Sequence, residues 1–244
     1  MTENTSLARK ILVSALLVIS IYWLATALTN ITLPFISDWI HKDSFAQRNF
    51  YLKAYMLLLT GLVMWLFKRR YGIAFGFSSG SNLSYFLYLK KGLIYGFLGL
   101  LCTVIINIIG FAITRQKPVS FPAERLIDRI LFIWIWSSLV EELLFRGLIQ
   151  SYLKDFRHSW FSIKKVTISP AVFLSAFYFA SMHLVLLLHG MSFFFAVGIV
   201  VNAFILGLVA GYYREQTDSI WPAVFLHILF NIVGSLPLLL QLLI

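Results

Sequence analysis

The sequence predicts an all-α polytopic bundle of transmembrane helices, and three observations predict it. Hydrophobic types make up 60% of the 244 residues and Asp, Glu, Lys and Arg only 12%, against roughly 25% charged residues in a soluble domain. Mean hydropathy is +0.85, which makes lipid the natural solvent. The apolar residues also fall into runs near the ~20 residues that a helix needs to cross hydrocarbon, separated by short basic links.

Taken in order, the expected spans are 11–35, 51–67, 92–114, 130–150, 170–188, 191–213 and 220–240. The first reads as a retained anchor, because no small-residue cleavage site follows it as one would follow a signal peptide. The fourth is interrupted by charges. The seventh opens with Trp221-Pro222, and proline suits a first turn, where its missing N–H costs nothing. Residues 84–89 are aromatic and apolar, and read either as an interfacial helix or as part of an eighth span, so seven to eight spans are expected. Between the fifth and sixth spans, LLLHGMSFF is short enough to require a tight hairpin with Gly190 at its turn. The most polar link, Arg115 to Arg129, reads as a surface loop leading into the fourth span. With no soluble domain, repeat or low-complexity stretch, residues 1–244 read as one membrane-embedded domain.

The formal charge is +10. No nucleic-acid-binding motif accompanies it, and the basic residues lie between apolar runs, so orientation in an anionic bilayer explains them. With the N-terminus inside, the inner links hold Arg9, Lys10, Lys68, Arg69, Arg70, Lys90, Lys91, Lys154, Arg157, Lys164, Lys165 and Arg214. The outer links and adjoining span ends hold Lys42, Arg48, Lys53, Arg115, Lys117, Arg125 and Arg129. Twelve against seven favours a cytoplasmic N-terminus. Cys102, the only cysteine, lies in an apolar run. It can build neither a disulfide nor a thiolate metal cluster.

Chemistry is sought where the sequence defies its solvent. A charge at the bilayer centre costs about 2.5–3.5 kcal/mol on insertion scales, yet the fourth span holds Glu141, Glu142 and Arg146. Glu142 and Arg146 stand at i,i+4 and can pair. Glu141 points about 100° away from Glu142 and needs another partner or a wet pocket. A carboxylate in a small aqueous cavity can take a proton from water. His183 lies in the fifth span; alone, it would read as a structural residue. His227 and Asn231 are four apart on one face of the seventh. They can donate to a developing oxyanion, or equally tie two helices together. A carboxylate, two imidazoles and an amide on three spans point to a site. His189, beside Gly190, reads as interfacial, and His41 and His158 as loop residues. Neither a nucleophile elbow nor HExxH is present.

These residues stand in three ordered motifs. EELLFRG (141–147) fits EExxxR with a following glycine, FASMH (179–183) fits FxxxH, and HILFN (227–231) fits HxxxN. Together they resemble the CPBP intramembrane proteases, also called the Abi family, which include CAAX prenyl endopeptidases and bacteriocin-processing or self-immunity proteins. Gly207, Gly211, Thr217, Ser219 and Ile220 also stand at the family's spacing. The resemblance covers 125–231 and implies a catalytic core there. By resemblance, Glu141 and His183 activate the attacking water, His227 and Asn231 stabilise the oxyanion, and Glu142 and Arg146 support them. If a metal takes part, Glu141, His183 and His227 would be a zinc set with water in the fourth position. The metal-free route, which uses the carboxylate directly, is preferred, and no cofactor is assigned. The expected activity is endoproteolysis of a membrane-associated peptide or protein in a bacterial cell membrane. The competing reading is a non-catalytic membrane protein giving bacteriocin-type immunity by binding. A proton-relay transporter is disfavoured because no inverted repeat is visible.

Overall fold

The computed structural model describes residues 2–36, 45–78, 84–115, 125–156, 161–163 and 166–237. Among them, seven helical rods form one bundle: α1 (Thr2–Ile36), α2 (Phe45–Tyr71), α3 (Tyr85–Thr114), α4 (126–152), α5 (Pro170–Met182), α6 (Phe193–Thr217) and α7 (Trp221–Gly234). Five helices are long and apolar enough to cross a membrane: Leu7–Phe35, Phe45–Tyr71, Tyr85–Thr114, Pro170–His189 and Phe193–Thr217. Trp221–Gly234 is a shorter apolar helix. Large apolar side chains such as Leu16, Trp23, Leu62, Ile109 and Phe193 stand exposed on the outside, as befits helices solvated by acyl chains. The molecule is a multi-pass membrane protein.

Local chemistry sets the helix ends. Ser84 Oγ accepts from the Leu87 amide, so residues 84–89 are the cap and first turn of α3 rather than an element of their own. Ser169 Oγ caps Val172, with Pro170 opening α5, and Pro222 stands in the first turn of α7 as expected. Beyond Met182 the α5 rod tightens into a 3-10 stretch, His183–His189. It ends at Gly190, whose φ of +80° is the left-handed turn that glycine allows without strain. Phe161–Ile163 and Val166–Ile168 pair as an antiparallel hairpin, β1–β2. The sequence reading anticipated no strand there; Val166, Thr167 and Ile168 are β-branched and favour extended backbone. The remainder of the polar link, 116–124, and the expected end of the seventh span, 238–240, lie outside the described residues, as do His41, Lys42, Lys117, Arg157, His158, Lys164 and Lys165.

Small residues bring the rods together. The buried positions of α3 include Gly92, Gly96, Gly99 and Gly110, and this helix packs against α6 and α7. A methyl group at Gly207 of α6 would stand 2.8 Å from the Cα of Ala176 in α5. Backbone-to-backbone approach of this kind is how membrane helices pack when burial alone gives no drive. At one end of the bundle Lys10 Nζ meets Asp155 Oδ2 at 2.5 Å, and Phe67 stacks at 5.2 Å on Tyr152, beside the Lys68-Arg69-Arg70 end of α2.

Two of the basic residues assigned to links and span ends are buried in the bundle. Arg214 is within α6, not in an inner link. It is buried, with Nη2 donating to Ser151 Oγ at 3.1 Å and Nη1 3.5 Å from Asp218 Oδ1. Lys53 is not at an outer span end but inside α2, 4% exposed.

Gly207→Val should lower the unfolding temperature in detergent, because overpacking against backbone costs about 1–3 kcal/mol. Gly61→Ala, at a position with nothing within 4 Å, should not lower it.

Candidate active site

Glu141 and Glu142 stand on the middle turn of α4, Ser138–Glu142, between two π-helical stretches, Arg129–Ser137 and Leu143–Ile149. Such wide turns inside a helix recur at functional sites. They leave the two carboxylates on different faces. Glu142 points into the bundle, where its Oε2 is 3.1 Å from Arg146 Nε one turn on, the expected i,i+4 pair. Both side chains are fully buried. Arg146 also donates through Nη2 to the Gly207 carbonyl at 3.2 Å, an oxygen brought within reach by the close α5–α6 packing.

The other oxygen of Glu142, Oε1, lies 2.8 Å from His227 Nδ1. The carboxylate is already held by Arg146, so Nδ1 is the donor. That fixes the ring and turns Nε2 toward Glu141, whose Oε2 is 3.7 Å away. Arg146, Glu142, His227 and Glu141 thus form one relay from α4 to α7 and back.

His183 sits where α5 tightens. Its Nδ1 is 2.9 Å from the Phe179 carbonyl. A carbonyl only accepts, so Nδ1 carries the proton, and in the neutral ring Nε2 is left with a lone pair. Phe179 holds both imidazoles edge-on, at ring-centre distances of 5.0 Å to His183 and 5.4 Å to His227. Its opposite neighbours are Phe145 at 5.2 Å and the Arg146 guanidinium at 4.9 Å. One ring therefore separates the catalytic candidates from the core and sets their spacing.

Glu141, His183, His227 and Asn231 all line one cavity of about 810 Å³. Each of the seven rods contributes to its wall, which is mostly apolar beyond the polar cluster. His189, read as interfacial, is a further lining residue. Asn231 does not offer donors to the cavity: its Nδ2 donates to Ser138 Oγ at 3.0 Å and to the Ile133 carbonyl at 3.3 Å. Ser138 in turn donates to the Trp134 carbonyl. Because Ile133 can only accept, the amide cannot be flipped without setting two acceptors face to face.

Sequence reasoning missed Lys53. Its Nζ stands 2.5 Å from Glu141 Oε1, and both side chains line the cavity. The signal was present: Lys53 is the one charge among the apolar residues that open the second span, the same anomaly that singled out Glu141. Counting it toward orientation hid it. Asn49, one turn earlier, also lines the cavity and donates to Ser137 Oγ at 3.0 Å.

The zinc set does not fit this arrangement. Among the described residues no group of three or more His, Cys, Asp or Glu side chains is placed to hold a metal ion, and an ammonium group already occupies one oxygen of Glu141.

Residues 124–233 match the family model of the type II CAAX prenyl endopeptidase Rce1-like proteins. This match places the segment 124–233 in the CPBP family. No curated protein and no solved structure matches the chain. Intramembrane endoproteolysis of the CAAX-protease type is the activity of this family, and a multi-pass helical bundle with a polar cavity suits it. The matched CPBP segment contains Glu141, Glu142, Arg146, Phe179, His183, His227 and Asn231; Lys53 lies outside it.

Arg146→Met should cost about 3–5 kcal/mol, the penalty for leaving a buried carboxylate without its cation. Arg146→Met combined with Glu142→Gln should recover much of that loss. Unfolding in detergent, followed for both variants, checks the difference.

Proposed function

We propose that this CPBP-family protein hydrolyses a peptide bond in a membrane-associated peptide or protein, with Glu141 and His183 activating the water and His227 facing the oxyanion. One observation supports this most: a carboxylate and two imidazoles, each held by a hydrogen bond at Nδ1, line the same cavity of an apolar bundle. Glu141 takes a proton from water. His183, with its Nδ1–H held by the Phe179 carbonyl, offers Nε2 as an acceptor that orients the same water. The water oxygen bonds to the substrate carbonyl carbon, and the C=O pair moves to oxygen. Collapse then breaks the C–N bond, and the leaving amine takes the proton from Glu141.

For His227 to donate at Nε2 it must carry both ring protons, since Nδ1–H is spent on Glu142. Glu142 and Arg146 would hold it in that pose. Asn231 would serve as a donor only after releasing Ser138 or Ile133; in the resting arrangement it positions α4 against α7. The route needs no metal. Residues 125–231 form the proposed catalytic core of a single membrane-embedded unit. The end of the bundle gathering Lys10, Lys68, Arg69 and Arg70 is proposed as cytoplasmic, by the positive-inside rule.

The test is cleavage of candidate membrane-anchored peptides in proteoliposomes. Glu141→Gln and His183→Ala should each lower kcat by about 10²–10⁴-fold, the range for a general base, while remaining folded, and a chelator should leave the wild-type rate unchanged. A Glu141→Gln protein that kept a peptide-immunity phenotype in cells would support a binding protein instead.

A further inference from the structure

We propose that Lys53 is a further catalytic residue: its ammonium neutralises Glu141 at rest and follows the negative charge to the oxyanion during attack. The proposal rests on the active-site reading above and assigns a role to a residue of α2, outside the matched CPBP segment.

A tetrahedral oxyanion needs donors aimed at it. Of the two expected from the sequence, Asn231 has both N–H bonds committed to Ser138 and Ile133. That leaves His227 Nε2. The other cation on the cavity wall close to the carboxylate is Lys53, with three N–H donors. Its described contacts are Glu141 Oε1 at 2.5 Å and the weak acceptor Met56 Sδ at 3.7 Å. Donor capacity is therefore left over on a side chain that lines the cavity.

Charge must also follow the proton. When Glu141 takes the proton from water, it becomes neutral, and the negative charge reappears on the substrate carbonyl oxygen. An ammonium fixed on Glu141 would then face a neutral acid while an anion formed nearby. Lysine carries its charge on a flexible stem and can pivot the few ångströms between the two oxygens. As the intermediate collapses, the amine leaves with the Glu141 proton, the carboxylate is restored, and Lys53 returns to it. No proton moves to or from Lys53, so the balance of the hydrolysis is unchanged. His227 and Lys53 together make the pair of donors that His227 and Asn231 do not make in this arrangement.

The experiment compares wild type, Lys53→Met, Lys53→Arg and Glu141→Gln on one membrane-anchored peptide and on its C-terminal amide. Lys53→Met should lower kcat by about a hundredfold or more, as loss of one oxyanion donor does. KM should stay unchanged, since the contact of Lys53 with substrate exists only in the transition state. Lys53→Arg, which keeps the charge, should recover most of the rate. Should Lys53→Met fail to fold, Lys53→Gln carries the test, with the same expected loss. Wild-type kcat in Lys53→Met, with Glu141→Gln inactive, would overturn the proposal and leave the active-site reading standing. A loss confined to KM that vanishes with the amidated peptide would also overturn it, making Lys53 a binder of the substrate carboxylate. Equal cleavage by wild type and Glu141→Gln would remove the active-site reading itself, and this proposal with it.

Discussion

Two carboxylates on consecutive residues of a helix buried inside an apolar bundle must each find a cation, and no single cation can serve both. Successive side chains diverge by about 100°. Glu142 turns inward to Arg146 and His227; Glu141 turns to the cavity and Lys53. Most of the bundle's internal arrangement follows from this division. Burying one charge alone is prohibitive, whereas a paired charge with its remaining hydrogen bonds satisfied is tolerable. The helices that carry Lys53 and His227, α2 and α7, are therefore held against α4.

That requirement explains why so much of the site is backbone geometry. Arg146 Nη2 donates to the Gly207 carbonyl, which is close only because α6 lies against α5 where a side chain would collide. Gln150, one turn further along α4, reaches the Gly211 carbonyl in the same way at 2.9 Å. The glycines are thus not merely small; they expose the acceptors that the polar residues of α4 use. Phe179 completes the wall, its faces and edges shared among Arg146, Phe145 and both histidines. The apolar core and the polar relay are one packing problem.

Much of this was legible in the sequence because lipid makes polarity informative. Glu141, His183, His227 and Asn231 stand out in a chain so apolar, and the Glu142–Arg146 pair follows from spacing alone. Gly190 and Pro222 were legible because turn and helix-start chemistry is local. What was not legible is long-range or directional. His227 Nδ1 meets Glu142 across 85 positions of sequence, and no local pattern says which carboxylate it takes. The commitment of the Asn231 amide to Ser138 and Ile133 depends on the rotation of α4, which its π-helical stretches alter. Lys53 was visible as a charge but was assigned to the bilayer surface, because the positive-inside rule counts lysines and does not ask which lie two turns inside a span. The hairpin at 161–168 was missed because six residues of extended chain between long apolar runs leave little periodicity to read.

A general base must be available and also stable where it is buried, and these demands conflict most in a membrane. A carboxylate left bare in the cavity would be costly to keep, and one held permanently at both oxygens would have none free for water. Glu142 is in the second situation: fully buried, one oxygen on Arg146 and the other on His227, which suits a residue that positions others. Glu141 avoids both extremes. One oxygen is held by an ammonium on a flexible stem, and the other faces His227 Nε2 at 3.7 Å, beyond a direct hydrogen bond. The second oxygen is thus compensated electrostatically without being saturated. This difference in how tightly two adjacent carboxylates are bonded, more than either one's identity, separates the group fit to take a proton from the group fit to hold the site in place.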